Sequence, residues 1–387
     1  MIAYNKQWLD SSDLQEQLEN AVKENYVSKA ERDTAAGLYP VGFYTPNIFI
    51  RIGLFLLTLV ITSFSLGLMG LLFISGSQFE NSAGMICVFF AAVCYTALEA
   101  MVRAKHHYQS GVDDALLWTS AGLLLVGINI MGNISPLANA VIILIIAVFF
   151  TLRFADRLMA LVIAVASLAV IFFMLTKMGT IAKAITPFTL MLSAVFLYLV
   201  SKKNIGSRWY RYYKKCFTVI SITALVCFYL VGNYFVVREA SIKFFNLPLG
   251  DMEAIPFGWL FWVFTSFIPL LYIAWGIQKK DVVLIRCGVL LLGVTVFTVR
   301  YYYHVMPAET AMIIAGLLLV AVSYALIKFL KEPRSGFTSL PSAIDNNNGL
   351  QNIEAILVAE TFTGHQQQTG TNFGGGSFGG AGATSEF

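Results

Sequence analysis

The amino-acid sequence predicts an all-α protein: a polytopic transmembrane helical bundle of about ten spans, with short cytosolic helices before it and a disordered Gly-rich tail after it. Three observations predict this class. Of the 387 residues, 57% are apolar and only 12% charged, about half the charged share of an ordinary soluble domain. The apolar residues gather in runs of about 20, the length a helix needs to cross about 30 Å of hydrocarbon. Finally, counting those runs as ten crossings puts 21 Lys and Arg on one side and 5 on the other, the asymmetry that holds basic connectors in the cytosol.

Residues 1–47 form the first segment, with seven acids, four bases and no apolar stretch, so a cleavable signal peptide is not expected. Ser12 with Gln15, and Ser28 with Glu31, have capping-box spacing, which predicts two short helices. Gly37 and Pro40 stop the second. Leu14, Leu18 and Val22 make one apolar stripe, which suits packing on the membrane domain or on a partner helix, or else a solvated tether.

The membrane domain covers 48–330, with spans predicted at 52–75, 84–102, 115–132, 136–152, 158–176, 182–201, 216–237, 255–277, 282–299 and 308–330. Between spans three and four, Asn133-Ile134-Ser135 before Pro136 must act as a tight turn, or the two become one broken element. Residues 331–387 are polar, and their end, Phe373 to Gly380, is low-complexity sequence expected to be disordered in the cytosol. Both termini are thus expected inside, at the cell (inner) membrane.

Three stretches carry a resemblance. Leu18 to Pro40, followed directly by spans, and Ala97-Leu98-Glu99-Ala100 through Trp118, together with the closing Thr298-Val299-Arg300, resemble a broad family of predicted bacterial multi-spanning membrane proteins of unknown function. The resemblance implies a multi-spanning architecture. It brings no activity, catalytic residue or ligand. Within the chain, Phe150 to Phe154 at the end of span four echoes Phe297 to Tyr301 at the end of span nine, which would relate two inverted halves of five helices.

A charge at the hydrocarbon centre costs some 2.5 kcal/mol or more, so ionisable groups inside spans are the first places to seek function. Glu99 is the one acid well within a span, four residues before Arg103. It reads either as a helix-surface ion pair or as a proton or cation site. Arg51, Arg153, Arg286 and Lys328 sit near helix ends and read as snorkelling anchors. On the outer side, Arg300, His304 and Glu309 bracket the tyrosines after span nine, and Arg238 and Glu239 follow span seven. They would line a vestibule for an anionic ligand, or form an aromatic belt with interfacial charges.

Asn129, Asn133, Asn139, Pro187, Asn233 and Pro269 mark polar or breaking positions within or beside spans, suited to cavity lining or to interhelical hydrogen bonds. His106-His107 with Asp113-Asp114 reads as a solvated loop. Lys202, Lys203, Arg208, Arg211, Lys214 and Lys215, interleaved with aromatics, suit anionic lipid headgroups at the cytosolic face.

No nucleophile elbow, phosphate loop or zinc motif occurs, and the five cysteines lack a paired spacing, so no cofactor or metal site is expected. The net charge of +4 gives no reason to expect nucleic acid. The expected partners are membrane lipids, with a cytosolic protein through 1–47 or 331–387. These features point first to a non-enzymatic membrane protein that binds or organises. The alternatives are a secondary transporter of a small solute and a membrane enzyme acting on a lipid-linked substrate through Arg300 and His304. A continuous polar cavity would favour transport, and a groove reaching His304 would favour the enzyme.

Overall fold

The computed structural model describes residues 2–302 apart from 24–25, 74–78, 179, 204–207, 246–254 and 256. At 79–81, 180–184 and 208–209 it describes backbone only, and beyond 302 it describes isolated positions up to Lys328. The described residues in 1–15 and 35–316 form one compact unit, and those in 16–34 group with the positions beyond 316.

Twelve α-helices occur among the described residues: α1 (Lys6–Lys23), α2 (Lys29–Leu38), α3 (Ile48–Phe73), α4 (Phe79–Ala104), α5 (Val112–Met131) and α6 (Pro136–Phe154), then α7 (Arg157–Thr176), α8 (Thr180–Lys203), α9 (Arg208–Gly232), α10 (Tyr234–Phe245), α11 (Gly258–Lys279) and α12 (Val282–Tyr302). Nine of them, α3 to α9 with α11 and α12, are long and apolar enough to cross a membrane. The chain is an all-α polytopic bundle, and these nine correspond to the first nine predicted spans. The tenth, 308–330, and the tail 331–387 lie largely outside the described residues.

The boundaries follow local chemistry. At 133–135 the chain does turn: the Ser135 hydroxyl accepts from Ala138 N (3.3 Å), and Pro136 opens α6. Span four and span five are joined by Ala155 and Asp156 alone. Ala155 sits in the left-handed region (φ 50°), its N–H reaching Thr151 O, and Asp156 caps α7 by accepting from Met159 N at 2.7 Å. The Ser28 box forms as its spacing predicts: Ser28 N donates to Glu31 Oε2 (2.8 Å) and Glu31 N to Ser28 Oγ (3.3 Å). Those bonds hold the Glu31 carboxyl below its usual range.

The Ser12 expectation needs correction, because α1 starts earlier. Asn5 caps it through Gln7 N (2.9 Å), and Trp8 in the first turns docks edge-on against Phe43 and His106. Tertiary contact thus extends the helix past the local signal, and Gln15 instead donates to Tyr39 O at 2.9 Å.

Packing is dominated by four hairpins of consecutive helices, α4–α5, α6–α7, α8–α9 and α11–α12. Small residues let them close. A Cβ on Gly127 would meet Gly84 O at 2.9 Å, and Ser120 Oγ donates to Ala91 O (3.0 Å) across the same α4–α5 seam. An inverted five-helix repeat would equate α3–α4 with α8–α9, yet the first contact is slight and the second extensive. Predicted span seven stops at Asn233, which is fully buried between α9 and α10. Its Nδ2 donates to Tyr229 Oη (3.1 Å) and Thr298 Oγ1 (3.0 Å), and its Oδ1 accepts from Phe235 N (2.9 Å). The polar atoms freed by the break are therefore satisfied by packing rather than by a cavity.

One close approach fixes α3. Gly111 (φ 93°) lies against the Arg51 backbone, so that a Cβ there would run into the Arg51 carbonyl oxygen. Gly111→Ala should therefore destabilise the fold, by about 1–3 kcal/mol for the strained backbone alone. Gly53→Ala and Gly122→Ala meet nothing within 4 Å and, as helix-interior changes, should be neutral or stabilising by about 0.5–1 kcal/mol. Tryptophan-fluorescence melting of the three variants in detergent tests the ranking.

Candidate functional site: a charged end and an amphipathic groove

One end of the bundle gathers the starts of α3, α5 and α7 and the ends of α4 and α6. The amino terminus closes onto it. Ala3 N donates to Arg153 O (2.8 Å), and Tyr4, buried, sets its ring edge-on against Phe43, Tyr108 and Phe154. Residues 2–9 thus pack on the spans, ahead of the Leu14, Leu18 and Val22 stripe.

The 106–114 segment is a fixed turn rather than the solvated loop expected of it. Asp113 is buried and accepts from Gln109 N (2.7 Å), Ser110 N (2.9 Å) and Ser110 Oγ (3.0 Å), while His107 Nδ1 lies 2.7 Å from the same hydroxyl. His106 and Gln109 take left-handed φ of 55° and 50° to make the turn. Both aspartates sit in the first turn of α5, where the amide dipoles favour negative charge.

Two carboxylate–guanidinium pairs tie helices together at this end. Glu99 on α4 accepts from Arg153 on α6 at two points, Nε to Oε1 (2.7 Å) and Nη2 to Oε2 (2.9 Å). Arg103 Nε adds a contact at 2.9 Å and Tyr95 Oη donates at 2.9 Å. The expected helix-surface pair with Arg103 is present, but the closer, better buried partner is 54 residues away. Glu99 is thereby saturated, which favours its structural role over a proton or cation site. Arg153 is correspondingly an ion-pair partner rather than a free anchor. Arg51 likewise ties α3 to α5: its Nε and Nη2 donate to Asp114 Oδ2 at 3.2 and 2.5 Å.

Beside these pairs runs a cavity of about 830 Å³ between α3, α5 and α7. Its mouth carries Arg51, Asp113, Asp114, Asp156 and Arg157, and its shaft runs along Ile52, Phe55, Leu56 and Leu59 of α3 and Leu117 and Trp118 of α5. Burial pushes the Asp156 carboxyl above its usual range, opposed by the amides of α7 and reinforced by the charge of Asp114. The sequence held one signal for this site, the charged pair Asp156-Arg157 where the short connector meets α7. Nothing in it joined that connector to Arg51 or Asp114.

The other expected residues are placed as follows. Asn129 Nδ2 donates to Asn139 Oδ1 (3.1 Å), an interhelical bond between α5 and α6. Arg238, on α10, is buried with its guanidinium 5.7 Å from the Tyr302 ring centroid at the end of α12. Arg300 closes α12, half-buried. His304, Glu309 and the side chain of Arg208 lie outside the described residues. In the basic segment, Lys202 pairs with Asp281 (3.0 Å) and Arg211 with Asp10 (3.4 Å), while Lys203, Lys214 and Lys215 are exposed. Asp281 is partly buried, which raises its carboxyl, but the Lys202 contact outweighs that and the net shift is downward. Among the described residues no three of His, Cys, Asp and Glu converge to hold a metal ion.

A double-mutant cycle checks the α4–α6 tie. Glu99→Gln and Arg153→Met should each lower the melting temperature in detergent, and the pair should couple by about 1–3 kcal/mol. Additive losses would mean that the two side chains act separately.

Comparisons with protein-family models, with curated proteins and with solved structures give no match.

Proposed function

We propose that this chain is a multi-pass membrane protein that binds a lipid, holding one amphiphile in the groove between α3, α5 and α7. The observation that carries the reading is the order of chemistry along that groove. Charged groups stand at the mouth, and apolar side chains follow from Arg51 to Leu59. Eight residues of helix span about 12 Å, most of the roughly 15 Å of hydrocarbon in one leaflet. Ile52 and Leu56 are 53% and 56% exposed, so the shaft opens sideways to where acyl chains lie. Its volume falls within the range of small-molecule sites.

The mouth lies at the end that carries Arg103, Lys105, Arg153 and Arg157. By the positive-inside rule this end faces the cytosol, so the groove draws from the cytoplasmic leaflet of the cell membrane and both termini are cytoplasmic. Lys203 and Lys214, exposed at the same end, add headgroup contacts there, whereas Lys202 and Arg211 are committed to acids of the chain. A cytosolic protein partner would engage 331–387 or the outer part of 1–47. The ligand-binding reading fits a binding or organising protein better than an outer-face enzyme or a midplane transporter, because the amphipathic cavity reaches neither Arg300 nor Asn129.

Native mass spectrometry of protein extracted in mild detergent tests the proposal. The wild type should carry a bound lipid, Leu56→Trp should lose it by filling the shaft, and Leu192→Trp, on an α8 position 71% exposed, should keep it. Equal retention by both variants would place any bound lipid elsewhere.

A further inference from the structure

The mouth of the groove holds three carboxylates and two guanidiniums, and they are not equally free. Asp113 is consumed by Gln109 and Ser110. Arg51 is committed to Asp114, both of its bonds ending on Oδ2. Asp156 spends Oδ1 on the α7 amide of Met159. Arg157 is exposed, donates to Gln109 Oε1 at 3.5 Å, and lies near enough to Asp114 and Asp156 for its charge to act on both.

An anionic headgroup would set its phosphate among more carboxylates than guanidiniums. A zwitterionic headgroup meets both signs. Asp114 and Asp156 are hydrogen-bond acceptors, and a primary ammonium supplies three N–H donors. A quaternary ammonium has none and needs open ring faces instead, whereas the rings Tyr4, Tyr108 and Phe154 that line this end of the groove pack against neighbouring rings. We propose that the groove selects an aminophospholipid of the ethanolamine type, with its phosphodiester at Arg157 and its primary ammonium between Asp114 and Asp156. This rests on the lipid-binding reading of the same groove. The upward push on the Asp156 carboxyl, from burial first and the nearby charge of Asp114 after the opposing amides, is the electrostatic state that an ammonium relieves.

The test is a competition in nanodiscs containing equal amounts of ethanolamine, choline and glycerol phospholipids, read by native mass spectrometry after release into detergent. The wild type should retain the ethanolamine lipid about tenfold over the others, the worth of one charge-assisted hydrogen bond. Asp156→Asn keeps a capping side chain but loses the charge, so it should bring that preference near unity while total lipid stays constant. Arg157→Gln should lower retention of all three lipids.

Wild-type protein that binds choline or glycerol lipid as well as the ethanolamine lipid would overturn the headgroup assignment, as would an unchanged preference in Asp156→Asn. If Asp156→Asn fails to fold, the wild-type competition decides alone. In either case loss of lipid in Leu56→Trp leaves the groove reading standing, whereas its retention in that variant removes groove and headgroup together.

Discussion

A charge carried into hydrocarbon must meet its opposite there, and this constraint organises the end of the bundle on which everything else depends. Glu99 meets Arg153 and Arg103, and Asp114 meets Arg51. Glu99 with Arg153 and Asp114 with Arg51 join helices that share no hairpin: α4 to α6, and α3 to α5. The hairpins themselves close through small residues such as Gly84 and Gly127, where dispersion between backbones does the holding. Ion pairs therefore do between hairpins what glycines do within them, and the amino terminus, through Ala3 and Tyr4, lies over the result.

The groove is a consequence of how α3 is attached. At its start it is fixed twice, by Arg51 to Asp114 and by the close approach of Gly111. Beyond that, α3 is the least buried of the nine apolar helices, with 6% of its most apolar window buried against 28% or more for the others. Beside the held end the exposed face of α3 leaves a groove against α5 and α7, and it is lined by whatever the facing helices present. Here these are the apolar sides of α3 and α5 and, at the held end, the charges that hold it. The same residues thus secure α3 and furnish the polar mouth of the groove.

At the break between α9 and α10 the buried polar groups pair with one another. Asn233, Tyr229, Thr265, Thr295 and Thr298 form a chain of bonds around the break between α9 and α10, with Thr295 Oγ1 donating to Thr265 O at 3.0 Å. Such a network satisfies freed backbone atoms without water. It explains why polar residues in the second half of the chain read equally well as cavity lining in the sequence and yet prove to be packing.

The sequence by itself determined that helices cross a membrane, where most of the nine begin and end to within a few residues, span seven excepted, and that 133–135 is a place to turn, because span length, hydropathy and capping are properties of neighbours along the chain. It also exposed Glu99 with Arg103, which share one helix face at a spacing of four. It could not give Glu99 its principal partner, extend α1 to Asn5, or bring Arg51, Asp114, Asp156 and Arg157 to one mouth. Those residues lie tens of positions apart, and in helices whose every face is apolar no periodicity states which face meets which neighbour. Tertiary packing alone decided that, since only the juxtaposition of helix ends tells a buried charge which opposite charge is within reach.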